Sequence, residues 1–267
     1  MSTTSPGLGH ALDISSTTPT PFHRLVRVEL RKSYDTRAGF WLLMTIALLV
    51  LAAEIIAVAV TAVQDEPMQF GDFVGTAAFL TSFLLPVLGI MLVTTEWTQR
   101  SAMVTFALEP RRSLVIAAKA MVGVLLTLLT VVVSIAIGLV ANLVYGLLQG
   151  GADWTFGWPD FAAFTITQVL AMLGGFALAA LLLNTSAAIV VFFLYKWVLP
   201  GLLAVGAALM DWFDTLYPWI DFQSAQGAIW DWSSSGEDWA QLVVSGLVWL
   251  GLPLAFGIRR VLRAEVK

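Results

Sequence analysis

The chain has 267 residues, of which 58% are hydrophobic and only 12% charged, against about 25% charged residues in an ordinary soluble domain. Its apolar residues come in long blocks and not at the 2.0 or 3.6 periods of half-buried elements, so the expected solvent is a bilayer. With a net charge of −4 and no cysteine, the chain can have no disulfide framework, thiolate nucleophile or iron–sulfur cluster.

Residues 1–21 are rich in Ser, Thr, Pro and Gly and almost uncharged, and they read as a disordered cytoplasmic tail. They are not a cleavable signal: the first apolar block is too long, lacks an obvious small-residue cleavage site and is followed by five more. From Phe22 the pattern changes. Arg24, Arg27 and Arg31 share one helical face while Phe22, Leu25, Val26 and Leu30 lie on the other, which predicts a helix at 22–38 lying in the membrane interface. Glu29 falls near the apolar face and does not fit that pattern. The segment also reads as a basic juxtamembrane anchor that only sets topology.

Six blocks, near 39–63, 73–95, 117–148, 162–183, 186–209 and 240–258, are long and apolar enough to cross roughly 30 Å of hydrocarbon, which takes about 20 helical residues. Runs such as Ala117 to Val140 show none of the alternation that barrel strands require. The expected fold is an all-α integral membrane protein with six transmembrane helices in one domain, 39–267. Its orientation follows from charge. Arg24, Arg27, Arg31, Lys32 and Arg37 precede the first span; Arg100, Arg111, Arg112 and Lys119 lie between spans two and three; Arg259, Arg260, Arg263 and Lys267 follow the sixth. The intervening loops hold no Lys or Arg but do hold Asp65, Glu66, Asp72, Asp153, Asp160, Asp211, Asp214, Asp221, Asp231, Glu237 and Asp238. By the positive-inside rule both termini are cytoplasmic and the protein sits in the cell membrane.

The stretch TEWTQRSAMVTFALEPRRSLVIAAK, Thr95 to Lys119, concentrates charge between two apolar spans. Glu96 and Trp97 sit where span two leaves the bilayer. Ser101 to Glu109 can form a short helix that Pro110 ends. Lys119, about two turns into the next helix, can snorkel back to water. One reading is a topogenic loop whose charges hold it inside. The other is a docking element for a cytoplasmic partner, with Met103, Val104, Phe106 and Leu108 as apolar anchors among charges.

Three stretches carry a family resemblance: VELRKSYDTRAGFWLL (Val28–Leu43), the Thr95–Lys119 stretch, and LNTSAAIVVFFL (Leu183–Leu194). With the topology, they resemble the permease subunits of type-2 ATP-binding-cassette exporters, six-span proteins with separate ATPase subunits. An acid near the end of span two, then an Arg, a Pro with basic residues and an Ala-Lys opening span three make up the most telling part. The resemblance implies an interfacial connecting helix at about 22–38, a coupling helix within 98–109 that seats on the ATPase, and a dimer of permeases. Coupling would then fall to Arg100, Met103, Phe106, Glu109, Arg111 and Arg112, with ATP and magnesium held by the ATPase subunit and no cofactor on this chain.

A phosphate loop needs G-x-x-x-x-G-K-[ST], and the nearest match, Gly201 to Gly206, is followed by Ala207. An intramembrane hydrolase needs a nucleophile with a base, or metal ligands, at membrane depth, yet His10 and His23 both precede the first span. No catalytic or metal site and no nucleic-acid partner is expected. Two ionisable residues fall within spans, Glu54 and Lys196, each costing about 2.5–3.5 kcal/mol at the bilayer centre unless it faces protein or water. Counted from span starts near Gly39 and Asn184 at 1.5 Å per residue, they lie roughly 22 and 18 Å deep. They are expected to pair, within or across protomers, or to line a polar pathway. Pro200 and Gly201 should kink or break span five, and the resemblance, in which span five helps line the route at the dimer interface, puts Pro200 with Glu54 and Lys196 on the translocation pathway. Pro86 with Gly89 and Gly174–Gly175 could be either kinks or close-packing sites.

Between spans five and six, residues 210–239 space Trp212, Tyr217, Trp219, Trp230, Trp232 and Trp239 among acids. They could cradle a cationic amphiphile or anchor short interfacial or re-entrant helices among the lipid headgroups. The chain thus reads as an export permease driven by a separate ATPase, against an ion-coupled transporter or channel and a non-transporting scaffold or sensor.

Overall fold

The computed structural model describes residues 20–64 and 67–264, nearly all of them helical. Most of the expected tail at 1–21, together with Asp65, Glu66 and Lys267, lies outside the described residues. Among the described residues six helices are long and apolar enough to cross a membrane: Arg37–Gln64, Phe70–Thr98, Arg112–Gln149, Trp158–Leu182, Thr185–Leu209 and Gly236–Arg263. They coincide with the six expected blocks, extended by a few residues at most ends. The chain is a multi-pass membrane protein.

The amphipathic pattern from Phe22 forms α1 (Phe22–Asp35). Thr36, in extended backbone, ends it, and its Oγ1 accepts the Gly39 N–H at 3.2 Å to cap α2 (Arg37–Gln64). The elbow is tight: a Cβ on Gly39 would lie 1.8 Å from the Ser33 carbonyl oxygen. A residue with a side chain could not occupy that position without opening the turn.

Next come α3 (Phe70–Thr98), α4 (Ala102–Leu108), α5 (Arg112–Gln149) and α6 (Trp158–Leu182). At its start α5 takes in Arg112 to Ile116, residues expected to be loop. Span five consists of α7 (Thr185–Phe193) and α8 (Leu199–Leu209), joined by a π-helical turn at Leu194–Val198. Three short helices follow: α9 (Asp211–Ile220), α10 (Phe222–Ala225) and α11 (Gly227–Trp230). Span six is α12 (Gly236–Gly246) and α13 (Leu252–Arg263), joined by a second π-helical turn at Leu247–Gly251.

The core lies where α3, α5 and α6 meet, with Leu85, Ile90, Val122, Met172 and Phe176 buried. α3 and α6 cross at backbone distance: a Cβ on Gly89 would lie 2.3 Å from the Met172 carbonyl oxygen, and one on Gly175 would lie 2.2 Å from that of Pro86. These glycines are therefore close-packing sites, the arrangement small residues permit between membrane helices. A buried polar tie crosses the same pair, with Thr81 Oγ1 3.1 Å from Gln168 Oε1 and Gln168 Nε2 donating to the Ala78 carbonyl at 3.2 Å. α2 packs on α3 and α5, and α13 on α6. Most of the surface of spans five and six is apolar and exposed.

The bundle has a basic and an acidic end, and the acids have a structural use. Asp72, Asp160 and Asp238 each accept the backbone N–H three residues earlier at 2.8 Å, capping α3, α6 and α12. Spans two, four and six all start at this end, where unpaired N–H groups and the positive helix terminus favour carboxylates. The 210–239 segment folds back onto the bundle, burying Phe222, Ala228 and Ile229, while Trp212, Trp230 and Trp232 stay exposed.

Candidate functional site

At the basic end, α3 stops in a left-handed turn at Arg100 (φ 56°), an uncommon conformation for a residue with a Cβ. The Ser101 N–H then donates to the Glu96 carbonyl at 2.9 Å, and α4 begins. The short helix expected within Ser101–Glu109 is present, held between spans two and three.

Four charges from three helices meet beside it. Lys32 of α1 donates to Glu29 Oε1 at 2.7 Å and to Glu96 Oε1 of α3 at 2.9 Å. Lys119 of α5 donates to Glu29 Oε2 at 2.6 Å and lies 3.2 Å from Glu96 Oε1. Thr105 of α4 donates to the same Glu96 oxygen at 3.1 Å. Lys119 is therefore not a snorkelling residue: its side chain is 8% exposed, and the Glu29 side chain facing it is 6% exposed. Glu29 sits on the apolar face of α1 because a lysine of span three is there to receive it. Burial alone would lower the Lys32 pKa, but its hydrogen bonds to Glu29 and Glu96 outweigh that and hold the ammonium above its ordinary value.

A cavity of about 530 Å³ opens among α1 to α5, lined by these charges and by apolar residues including Leu42, Leu88, Met91 and Leu92. It is within the size range of small-molecule sites.

The six residues expected to couple divide into two sets. Arg100 and Met103 are exposed, as are Val104 and Leu108. The other four are turned to internal uses. The Phe106 ring lies 6.3 Å from that of Trp97 and beneath the Arg112 guanidinium at 4.8 Å, so this expected anchor packs on the bundle. Arg111 forks onto Glu109 through Nε at 2.8 Å and Nη2 at 3.0 Å, and also donates to the Thr20 carbonyl at 2.8 Å. The Arg111 hydrogen bond holds the Glu109 carboxyl below its ordinary pKa. Arg112 donates to the carbonyls of Val261, Leu262 and Ala264, the last at 2.8 Å, closing the end of span six.

Within the spans, Glu54 and Lys196 do not meet in this chain. Glu54 is 1% exposed, and neither carboxyl oxygen has a hydrogen-bond partner among the described residues. Lys196 sits in the π turn of span five and donates to Gln223 Oε1 of α10 at 3.3 Å. The kink or break expected at Pro200 takes the form of a widened turn. Pro200 lies in the first turn of α8, and the Leu199 N–H donates to the Leu194 carbonyl, five residues back. The widened turn accommodates a proline that can offer no N–H.

Span six repeats the device: the Leu252 N–H donates to the Leu247 carbonyl, just before Pro253. The two turns meet, with Tyr195 stacked on Trp249 at 5.0 Å and Trp249 Nε1 bonded to the Ile220 carbonyl at 2.7 Å. Nothing in a hydropathy profile marks them, but LYKWVLP and LVWLGLP share a Leu, four residues and Leu-Pro. Beside the first turn Phe79, Phe83, Phe193 and Trp197 form an aromatic face across α3 and span five, Phe83 and Trp197 stacking at 4.4 Å. No family model and no curated protein matches this chain.

Proposed function

We propose that this protein is the permease subunit of an ATP-binding-cassette exporter, embedded in the cell membrane with its basic end in the cytoplasm. It works as a dimer of permeases with a separate ATPase subunit, which holds ATP and magnesium. The observation that carries this reading is α4 itself: a short helix with Met103, Val104 and Leu108 exposed, joined through Thr105 and Glu96 to Lys32 of α1 and Lys119 of α5. A push on α4 would reach the interfacial helix and spans two and three together, because one carboxylate touches all of them. Closure of the ATPases around ATP moves α4, and the spans reorient to release substrate on the far side.

The test is purification of the tagged chain after gentle crosslinking in its native cells, beside a variant with Met103→Ser and Leu108→Ser. A stoichiometric ATP-hydrolysing subunit on the native chain, lost from a still-folded variant, is the expected result. Absence of any such subunit from the native chain sinks the proposal. Ion-coupled transport is the second reading, and Glu54 favours it, since a buried carboxyl without a hydrogen-bond partner among the described residues is suited to taking up and releasing a proton.

A further inference from the structure

Lys196 is placed where a cation in a membrane should have a counter-ion, yet among the described residues no carboxylate pairs with it. The ion pairs involve Arg31, Lys32, Arg111 and Lys119, all at the basic end. Lys196 has instead the long bond to Gln223 Oε1, an oxygen already shared with Gln226 Nε2 at 3.4 Å, and the Trp197 ring 5.8 Å from its Nζ. A small cavity of about 10 Å³, lined by Tyr195, Lys196, Gln223, Gln226 and Trp249 among others, leaves room for about one water. From the neighbouring Trp197 an aromatic face continues over Phe83 and Phe79, with Phe79 56% and Trp197 42% exposed.

We propose that Lys196 anchors a binding site for an amphiphile with an acidic head group, which salt-bridges to Nζ while its apolar body lies along Phe79, Phe83 and Trp197. This names the substrate class of the export reading and rests on it for that role, though binding itself needs no ATPase. The physical argument is one of complementarity. An ammonium held by neutral amides and a ring face is under-compensated in hydrocarbon, and a carboxylate or phosphate supplies the missing charge with a charge-assisted bond. The π turn presents Lys196 to α10 and the adjacent Trp197 to the aromatic face, where an amphiphile can arrive sideways from the bilayer.

The experiment uses the full chain in phosphatidylcholine nanodiscs and follows energy transfer from tryptophan to cis-parinaric acid, with its methyl ester as the neutral control. The acid should bind at least about tenfold more tightly than the ester, as a hydrogen bond to a charged group is worth. Lys196→Met should erase the preference and Lys196→Arg should keep it. Lys196→His should show it only below about pH 6.5, which serves if Lys196→Met does not fold. Competition by phosphatidylglycerol assigns the acid group to a bilayer phosphate; no competition assigns it to a single-chain carboxylate.

Equal binding of acid and ester by the native chain overturns the proposal, as does a preference that survives Lys196→Met. So does loss of assembly in Glu54→Lys and Lys196→Glu singly with rescue in the double exchange, because Lys196 would then already have Glu54 of a second copy. The assay contains no ATPase. Its failure leaves the export reading standing, and failure to capture an ATPase leaves the site standing.

Discussion

Lys119 Nζ lies 2.6 Å from Glu29 Oε2, a contact that spans 90 positions of the chain and fastens α1 to span three. Both side chains are buried, so neither can exchange its partner for water. Removing one member should cost about 1–3 kcal/mol, because the four-charge cluster is left with one unbalanced charge, although Glu96 still lies 3.2 Å from Lys119 and Lys32 2.7 Å from Glu29. Glu29→Gln and Lys119→Met are each expected to lower thermal stability in detergent sharply. The double variant, which leaves the Lys32–Glu96 pair in place, should be more stable than either single one. Additive losses would show the pair to be unimportant.

The crossing of α3 and α6 should tolerate no added carbon. A Cβ on Gly175 would meet backbone at 2.2 Å, and backbone cannot rotate aside as a side chain can. Gly175→Ala is expected to cost about 1–3 kcal/mol or more by overpacking. Gly75 supplies the control, because a Cβ added there would meet nothing within 4 Å. Gly75→Ala should leave the folded yield unchanged.

The α4 surface and its underside should separate in mutagenesis. Leu108 is 81% exposed and Met103 51%, so Ser at both positions should leave the melting temperature within about a degree or two while weakening partner binding. Phe106→Ala should do otherwise. It removes a ring packed between Trp97 and Arg112 and should raise hydrogen exchange across Ala102–Leu108 even with no partner present. Equal behaviour of the two variants would argue against a docking face.

The Glu109–Arg111 fork predicts a pH dependence with a definite sign. Its folded-state carboxyl is held below the ordinary value by Arg111, so its contribution to loop stability is fully present above the unfolded pKa of about 4.3. It is lost as pH falls through the lower, folded-state value. Exchange protection of the loop, corrected for the intrinsic rate, should drop in that acid window, and Glu109→Gln should show no drop there. A native profile identical to that of the variant would remove the fork from the account.

The six spans, their order and the separation of charge between the two ends were legible in the sequence, because hydropathy over about 20 residues and the charges flanking it are local properties. The short helix after span two was legible as well, through Pro110 and the run before it. What each charge touches was not. Lys119 reads as a residue reaching for water and Glu29 as a flaw in an amphipathic pattern until α1 is folded onto α5, when each becomes the other's reason. Glu54 and Lys196, similar in depth, do not meet within the chain, since depth along a span says nothing of the direction a helix faces. Phe106 and Arg112 look like an anchor and a topogenic charge, yet they hold each other and the end of span six. Local composition decides where a segment resides, whereas ion pairs, ring contacts and glycine crossings depend on helix rotation and on backbones tens of residues apart, which only the packed bundle fixes.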